Sequence, residues 1–267
     1  MGIVYVFAAS KMEGEPVERI AVAHLTGKSN PRVRTLRSGA NELVLVVGGW
    51  GHKIAEAKAR EVLDFASSPN ESRSSLGRKP EGVLVIGLCG GLTSSLPQNR
   101  IVAYTDCLSS EPSKPSRLCS ATVTSKVVEL LHSKGIACER VVGITSPRIA
   151  VTREDKLALA KSGAEAVDME TYQILAIASE AGVPASVLRV VADTPDSKMP
   201  DLNRALNENG ALDNRKALLV GLTSPLRFAR LLAGNKRAMN HLAKALEIVL
   251  PSNCFSDAQG GNIVTGK

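Results

Sequence analysis

The sequence predicts an α/β protein, a three-layer sandwich whose central sheet is mixed but mostly parallel and is flanked by helices. Three observations carry this. Short, continuous apolar runs rich in Val and Ile recur along the chain, as in strands covered on both faces. Segments with apolar residues at three- and four-residue spacing alternate with them. Glycine clusters follow several of the runs, where a strand must give way to a turn.

In chain order, strands are expected at 3–7, 43–47, 83–88, 101–105, 141–144 and 186–192. Helices are expected at 53–65, 124–133, 154–162 and 171–181, with a final basic one within 225–246. The first apolar run has no basic residue ahead of it and reads as a buried strand rather than a leader. Segments 67–80 and 109–117, rich in Ser, Pro and charge, read as surface loops, and 195–214 as irregular. One domain is expected over 1–250, with 251–267 a flexible tail.

The composition excludes several classes. A chain of 267 residues with 44% hydrophobic side chains builds a substantial core, but only 3% are aromatic, so few rings can stack on a planar ligand. No apolar run approaches the roughly 20 residues that span a bilayer. The five cysteines, Cys89, Cys107, Cys119, Cys138 and Cys254, lack C-x-x-C spacing. That argues against a disulfide framework or a zinc site and for a cytoplasmic location, with no metal expected. The net charge of +7 fits nucleic acid, an anionic membrane or plain solubility. The basic residues are not interleaved with aromatics, so a nucleic-acid partner is not expected.

Five segments are placed where chemistry can sit. GLCGGL at 87–92 follows an apolar strand, and glycines there let a ligand approach the backbone, although a tight turn is the plainer reading. In VDME at 167–170, Asp168 suits the first turn of a helix, and Glu170 can accept hydrogen bonds from two vicinal hydroxyls. RVVAD at 189–193 ends a strand in an acid, either a general acid with a raised pKa or the start of an Asx-turn. Glu13 and Glu15 follow the first strand, as a water-activating pair or as part of a solvated loop. The turn at 47–52 holds Gly49 and Trp50, with free amides suited to an anion. Trp50 is a lid, a pocket wall or an oligomer contact.

Taken in this order, the segments resemble the nucleoside phosphorylase superfamily, particularly its methylthioadenosine/S-adenosylhomocysteine nucleosidases. The family pattern is G-x-A-G-G-L, then V-E-M-E, then R-x-x-S-D, and the ordered set covers the chain to about Leu250. A closer likeness is to hopanoid-associated phosphorylases, which share V-D-M-E, R-x-V-A-D with a following Pro-Asp, and a basic helical C-terminus. The resemblance implies cleavage of the N-glycosidic bond of an adenosine-type nucleoside, by water or phosphate, with adenosylhopane as a lipid-linked substrate. Asp193 would then protonate the purine N7. Glu170 would hold the ribose hydroxyls, with Met169 under the sugar. Cys89 and Gly90 would line the pocket, beside Asp168 and Val167. Glu13 or Glu15 would orient water. No organic cofactor is implied. If phosphate is the co-substrate, Gly49, Arg32, Arg34 and Arg189 can supply donors, although Arg189 equally suits a structural ion pair. Homo-oligomers are usual in the superfamily.

Two departures stand out. The family often carries S-G-D-x-F, whose Phe stacks on the base, but 145–149 holds Thr145, Ser146, Pro147, Arg148 and Ile149. Ala192 replaces the usual Ser before the acid. The segment 225–246 carries Arg227, Arg230, Lys236, Arg237 and Lys244 with no acid, among leucines. It suits peripheral contact with an anionic membrane, or a final helix with a solvated face. A non-catalytic nucleoside-binding protein is the alternative of another class.

Overall fold

The computed structural model describes residues 2–23, 33–39, 41–63, 79–111, 113–208, 210 and 212–256. Their elements run β1 (Ile3–Ala8), α1 (Lys11–Ile20), β2 (Val22–Ala23), β3 (Val33–Ser38), β4 (Asn41–Val47), α2 (His52–Leu63) and β5 (Gly82–Gly91). They continue with β6 (Ile101–Ser109), β7 (Arg117–Leu118), α3 (Ala121–Ser133), β8 (Cys138–Thr145), α4 (Arg153–Ala160), β9 (Ala166–Asp168) and α5 (Thr171–Glu180). Last come β10 (Ala185–Asp193), a 3-10 turn (Leu202–Ala205), α6 (Asn214–Thr223) and α7 (Pro225–Val249).

The described strands join in one mixed sheet of order β10-β6-β8-β9-β5-β1-β4-β3-β2, with β7 on β6. The pairs β1–β4, β1–β5, β5–β10, β6–β8 and β8–β9 are parallel. The pairs β10–β6, β5–β9 and β3–β4 are antiparallel. Because β10 pairs with both β5 and β6, strands β5, β10, β6, β8 and β9 close into a ring, from which β1, β4 and β3 extend as an open sheet.

The expected sandwich is present, and β1 shows why its strands read as continuous apolar runs. Successive side chains point to opposite faces. Tyr5 and Phe7 join one core with Val62 of α2 and Ile174 and Ile177 of α5. Val4 and Val6 join another with Val17 of α1, Val127 of α3 and Leu242 and Leu246 of α7. Both faces are dry, so neither phase of the strand is polar.

Three expectations are corrected. The glycines of GLCGGL are not a turn: β5 runs through Gly91, with Gly90 paired to Val167 of β9. Glu13 and Glu15 do not lie in a loop, because α1 begins directly after β1. Ser10 and Glu13 close a capping box that satisfies its first amides. The tail does not fray from residue 251. Phe255 is 2% exposed and fills the space beside Gly82, and Asn41 Nδ2 donates to the carbonyls of Leu250 (2.9 Å) and Ser252 (2.7 Å). Residues 257–267 and most of the expected loop at 67–80 lie outside the described residues.

Candidate active site

The ends of β5, β9 and β10 and the start of α1 surround a cleft of about 740 Å³. Against β5, the register of β10 slips between Val191 and Asp193, setting Asp193 opposite Gly90. Such a bulge re-aims the terminal side chain, and Asp193 lines the cleft at 9% exposure. Asp168 ends β9 and is engaged through one oxygen: its Oδ1 accepts from Thr145 Oγ1 (2.8 Å) and the amides of Glu170 (3.0 Å) and Thr171 (2.9 Å). These bonds turn the chain so that Met169 and Glu170 face the cleft.

Glu13 enters from α1. Its Oε1 accepts from the amide of Leu88 at 2.8 Å, and its Oε2 from Ser10. The room comes from Gly87, whose φ is +141° and where a Cβ would run into the Glu13 carboxylate. Glu170 accepts from the amide of Gly51 at 2.9 Å.

Beneath these acids lies Arg189, 1% exposed on β10. Its Nη1 donates to the Leu88 carbonyl (2.9 Å) and its Nη2 to Thr171 Oγ1 (2.8 Å). Its guanidinium is 3.5 Å from Asp168 and 3.8 Å from Glu170. One buried cation thus faces Asp168, Glu170 and Glu13, which raises its own pKa further despite burial. The acids outnumber it. Burial, with help from Asp168 and Glu13, raises Glu170 to about 7, and burial raises Glu13 against the pull of Arg189. The Cys89 thiol is pushed up to about 12 by burial and stays neutral, a wall rather than a nucleophile.

Asp193 has a partner that sequence reading missed. Lys156, 1% exposed on α4, forms an ion pair with Asp193 Oδ2 and donates to the carbonyls of Thr194 (3.2 Å) and Gly91 (3.4 Å). It is the one fully buried residue of α4, and that burial is invisible in a charged segment read one-dimensionally.

The cleft gathers Asp193, Glu13, Glu170, Met169, Cys89, Gly90, Asp168 and Val167. Trp50 is one of its walls, and Arg148, Ile149 and Ala150 line it where a stacking aromatic was missing. Met199, Leu202 and Leu231, which were not singled out as site residues, complete an apolar side, with Asn235 beside them. Glu15 does not join: it pairs with Arg19 on the exposed face of α1. The anion donors are not gathered in this cleft. Arg34 pairs with Glu18 at 3.0 Å on the outer part of the sheet. Gly49 and Arg189 border a separate space of about 250 Å³ behind Glu170, and Arg32 lies outside the described residues. Among the described residues, no cluster of His, Cys, Asp or Glu suits a metal, and no helix is long and apolar enough to cross a membrane.

The profile of the phosphorylase superfamily matches residues 9–222. No curated protein sequence matches the chain. Among solved structures, similarity extends to the 5′-methylthioadenosine/S-adenosylhomocysteine nucleosidase of Helicobacter pylori bound to butyl-thio-DADMe-Immucillin-A, at TM-score 0.68 and 15% identity over 93% of this chain and 97% of that one. The futalosine hydrolase of the same organism gives 0.67 and 15% over the same shares, 93% and 97%. The Neisseria meningitidis 5′-methylthioadenosine/S-adenosylhomocysteine nucleosidase, in complex with methylthio-immucillin-A, gives 0.69 and 15% over 94% and 99%. At these identities the likeness is one of fold.

Proposed function

Since the chain belongs to the phosphorylase superfamily, we propose that it cleaves the N-glycosidic bond of a purine nucleoside in the cleft between β5, β9 and β10. The observation that carries this is the convergence of Asp193, Glu170 and Glu13 on one cleft from segments far apart in sequence. In this reading Asp193 gives a proton to the purine N7, so that the base leaves as a neutral species. Glu170 accepts hydrogen bonds from the ribose 2′- and 3′-hydroxyls, with Met169 under the sugar. Glu13 orients the attacking water and takes its proton. The carboxylates stabilise the positive charge that develops on the ribosyl ring. Water is favoured over phosphate because Glu13 lines the cleft while Arg34 and Gly49 do not. No step calls for an organic cofactor.

The finer reading is an adenosine whose 5′ substituent is apolar, with adenosylhopane as the lipid-linked case and methylthioadenosine or S-adenosylhomocysteine as the compact ones. Trp50, Met199, Leu202 and Leu231 supply an apolar side to the cleft. Leu231 belongs to α7, the helix that also exposes Leu226 (73%) and Leu232 (53%) beside Arg227 and Arg230. That surface suits peripheral contact with an anionic membrane from which a lipid-linked nucleoside would enter.

The test is adenine release, followed by chromatography, from methylthioadenosine and from adenosylhopane, each with and without phosphate, beside Asp193→Asn. Phosphate-independent release that is lost in the variant is expected. Absolute dependence on phosphate would replace water as the nucleophile. No base from any substrate, with protein that still binds nucleoside, would leave a non-catalytic binding protein on this fold.

A further inference from the structure

An acid that must protonate a leaving group needs a proton to give, yet Asp193 is in contact with a buried ammonium. Neither group is incidental. A lone buried ammonium is costly unless paired, and α4 buries Lys156 while its neighbours on the helix face solvent. Gly90 eases the approach: a Cβ there would stand 3.3 Å from Lys156 Nζ and 3.4 Å from Asp193 Oδ1. Lys156 occupies Oδ2, which leaves Oδ1 beside Gly90, itself part of the cleft wall.

We propose that Lys156 supplies the proton that Asp193 hands to the departing purine. The inference rests on the glycosidic-cleavage reading above. An N–H bond of the Lys156 ammonium breaks as an O–H bond forms on Asp193. That O–H bond breaks as N7–H forms, and the C1′–N9 electron pair passes into the purine ring. The attacking water loses its proton to Glu13. When the base has left, Glu13 releases its proton to solvent, and Asp193 takes one from solvent and returns it to the Lys156 amine, so that both groups are restored. Lys156 acts only through Asp193 and is a positioning residue, not a catalytic one.

The surroundings allow such a transfer. The charged and titratable groups that reach Lys156 are Asp193 of β10, in contact, and the Cys89 thiol of β5, which stays neutral. Nearby Arg153 and Asp196 pair with each other at 2.9 Å on the exposed side. Burial brings the Lys156 ammonium down to about 8, within reach of exchange with a carboxylate. A purely structural pin between the ends of β5 and β10 would need the charge but not the exchangeable proton.

The experiment separates these roles by the pH dependence of kcat for base release, in wild type, Lys156→Met and Lys156→Arg. In wild type, kcat is expected to hold up to about pH 8 and to fall above it. Lys156→Met should lose about 100-fold at that pH, with its alkaline limb moved at least about one unit lower. Lys156→Arg keeps the charge but cannot release a proton, so it should not restore kcat. Restoration by Arg to within about threefold, or a loss in Met of equal size at every pH, overturns the proposal.

A second readout needs no activity and no Met variant. In protein labelled with 13Cε-lysine, the Lys156 resonance should titrate below the ordinary lysine value of 10.5, and lower still in Asp193→Asn, where burial remains but the paired carboxylate is gone. An ammonium that persists to about pH 10 in wild type overturns the relay. Absence of base release from wild type at any pH would instead sink the glycosidic reading, while the resonance still reports on the pair.

Discussion

Glu170 is a carboxyl surrounded by other acids, and its ordinary value of 4.5 rises to about 7 because burial and the charges of Asp168 and Glu13 disfavour ionisation. The ionised form is the one that accepts both ribose hydroxyls. KM is therefore expected to fall as pH rises through about 7 and to level off above it. Glu170→Gln should raise KM by about 10- to 100-fold and remove that pH dependence, which steady-state kinetics between acid and neutral pH will read. Stability has the opposite slope. The folded chain holds its proton more tightly than the unfolded one, so this contribution is full below about 4.5 and is lost as pH rises through about 7. Thermal melts of wild type should lose ground over that window relative to Glu170→Gln. Asp193→Asn keeps the shape of the acid and removes its proton. It should lower kcat by about 10²- to 10⁴-fold with KM within a few-fold of wild type.

At the scale of elements, the junction of β1, α1 and β5 is where the fold places an acid in the cleft. The capping box of α1 orients Glu13, and the missing side chain at Gly87 makes room for it. Gly87→Ala should cost about 1–3 kcal/mol through its positive φ, and more through the collision with the Glu13 carboxylate. It should also depress kcat, because Glu13 must move; denaturant unfolding and kinetics on the same preparation will show both. This junction was only half legible. The spacing of Glu13 and Glu15 after an apolar run signals acids near a strand end, but choosing between them needs the helical phase. Two residues apart on α1, one points inward to Leu88 and the other outward to Arg19. The inner strands were legible as largely apolar runs, as in β1, where every residue is buried. The outer strand β3 was not, since its sequence VRTLRS alternates with charge and borders solvent.

Over the whole molecule, the charge is unevenly spread. From Asn214 to Leu246 there is no acid, and α6 and α7 expose Leu218 (61%), Leu219 (61%), Leu222 (69%) and Leu226 (73%) among Arg215, Lys216, Arg227 and Arg230. We expect the protein to co-float with vesicles containing anionic lipid and to release them at about 1 M salt, where the Debye length is roughly 3 Å. Replacing Arg227, Arg230, Lys236 and Arg237 by Gln should abolish flotation without altering base release from a soluble nucleoside. If flotation fails and light scattering shows a dimer that the same changes dissociate, the face belongs to a second copy of the chain.

The sequence by itself determined β1, β4, β5, β6, β8 and β10 with α2, α3, α4, α5 and α7, and placed Asp168, Glu170 and Asp193 at the ends of elements. Periodicity and strand endings are local properties, written in adjacent residues. Only the tertiary structure decided that strands β5, β10, β6, β8 and β9 close into a ring, that Phe255 anchors the segment beyond α7, and that Arg189 lies beneath the acids. The same holds for Lys156, which is 37 residues from Asp193. A buried charge is tolerated only if an opposite charge meets it through space, and that meeting is fixed by where the fold sets α4, so that Lys156 reaches the ends of β5 and β10, not by any spacing along the chain.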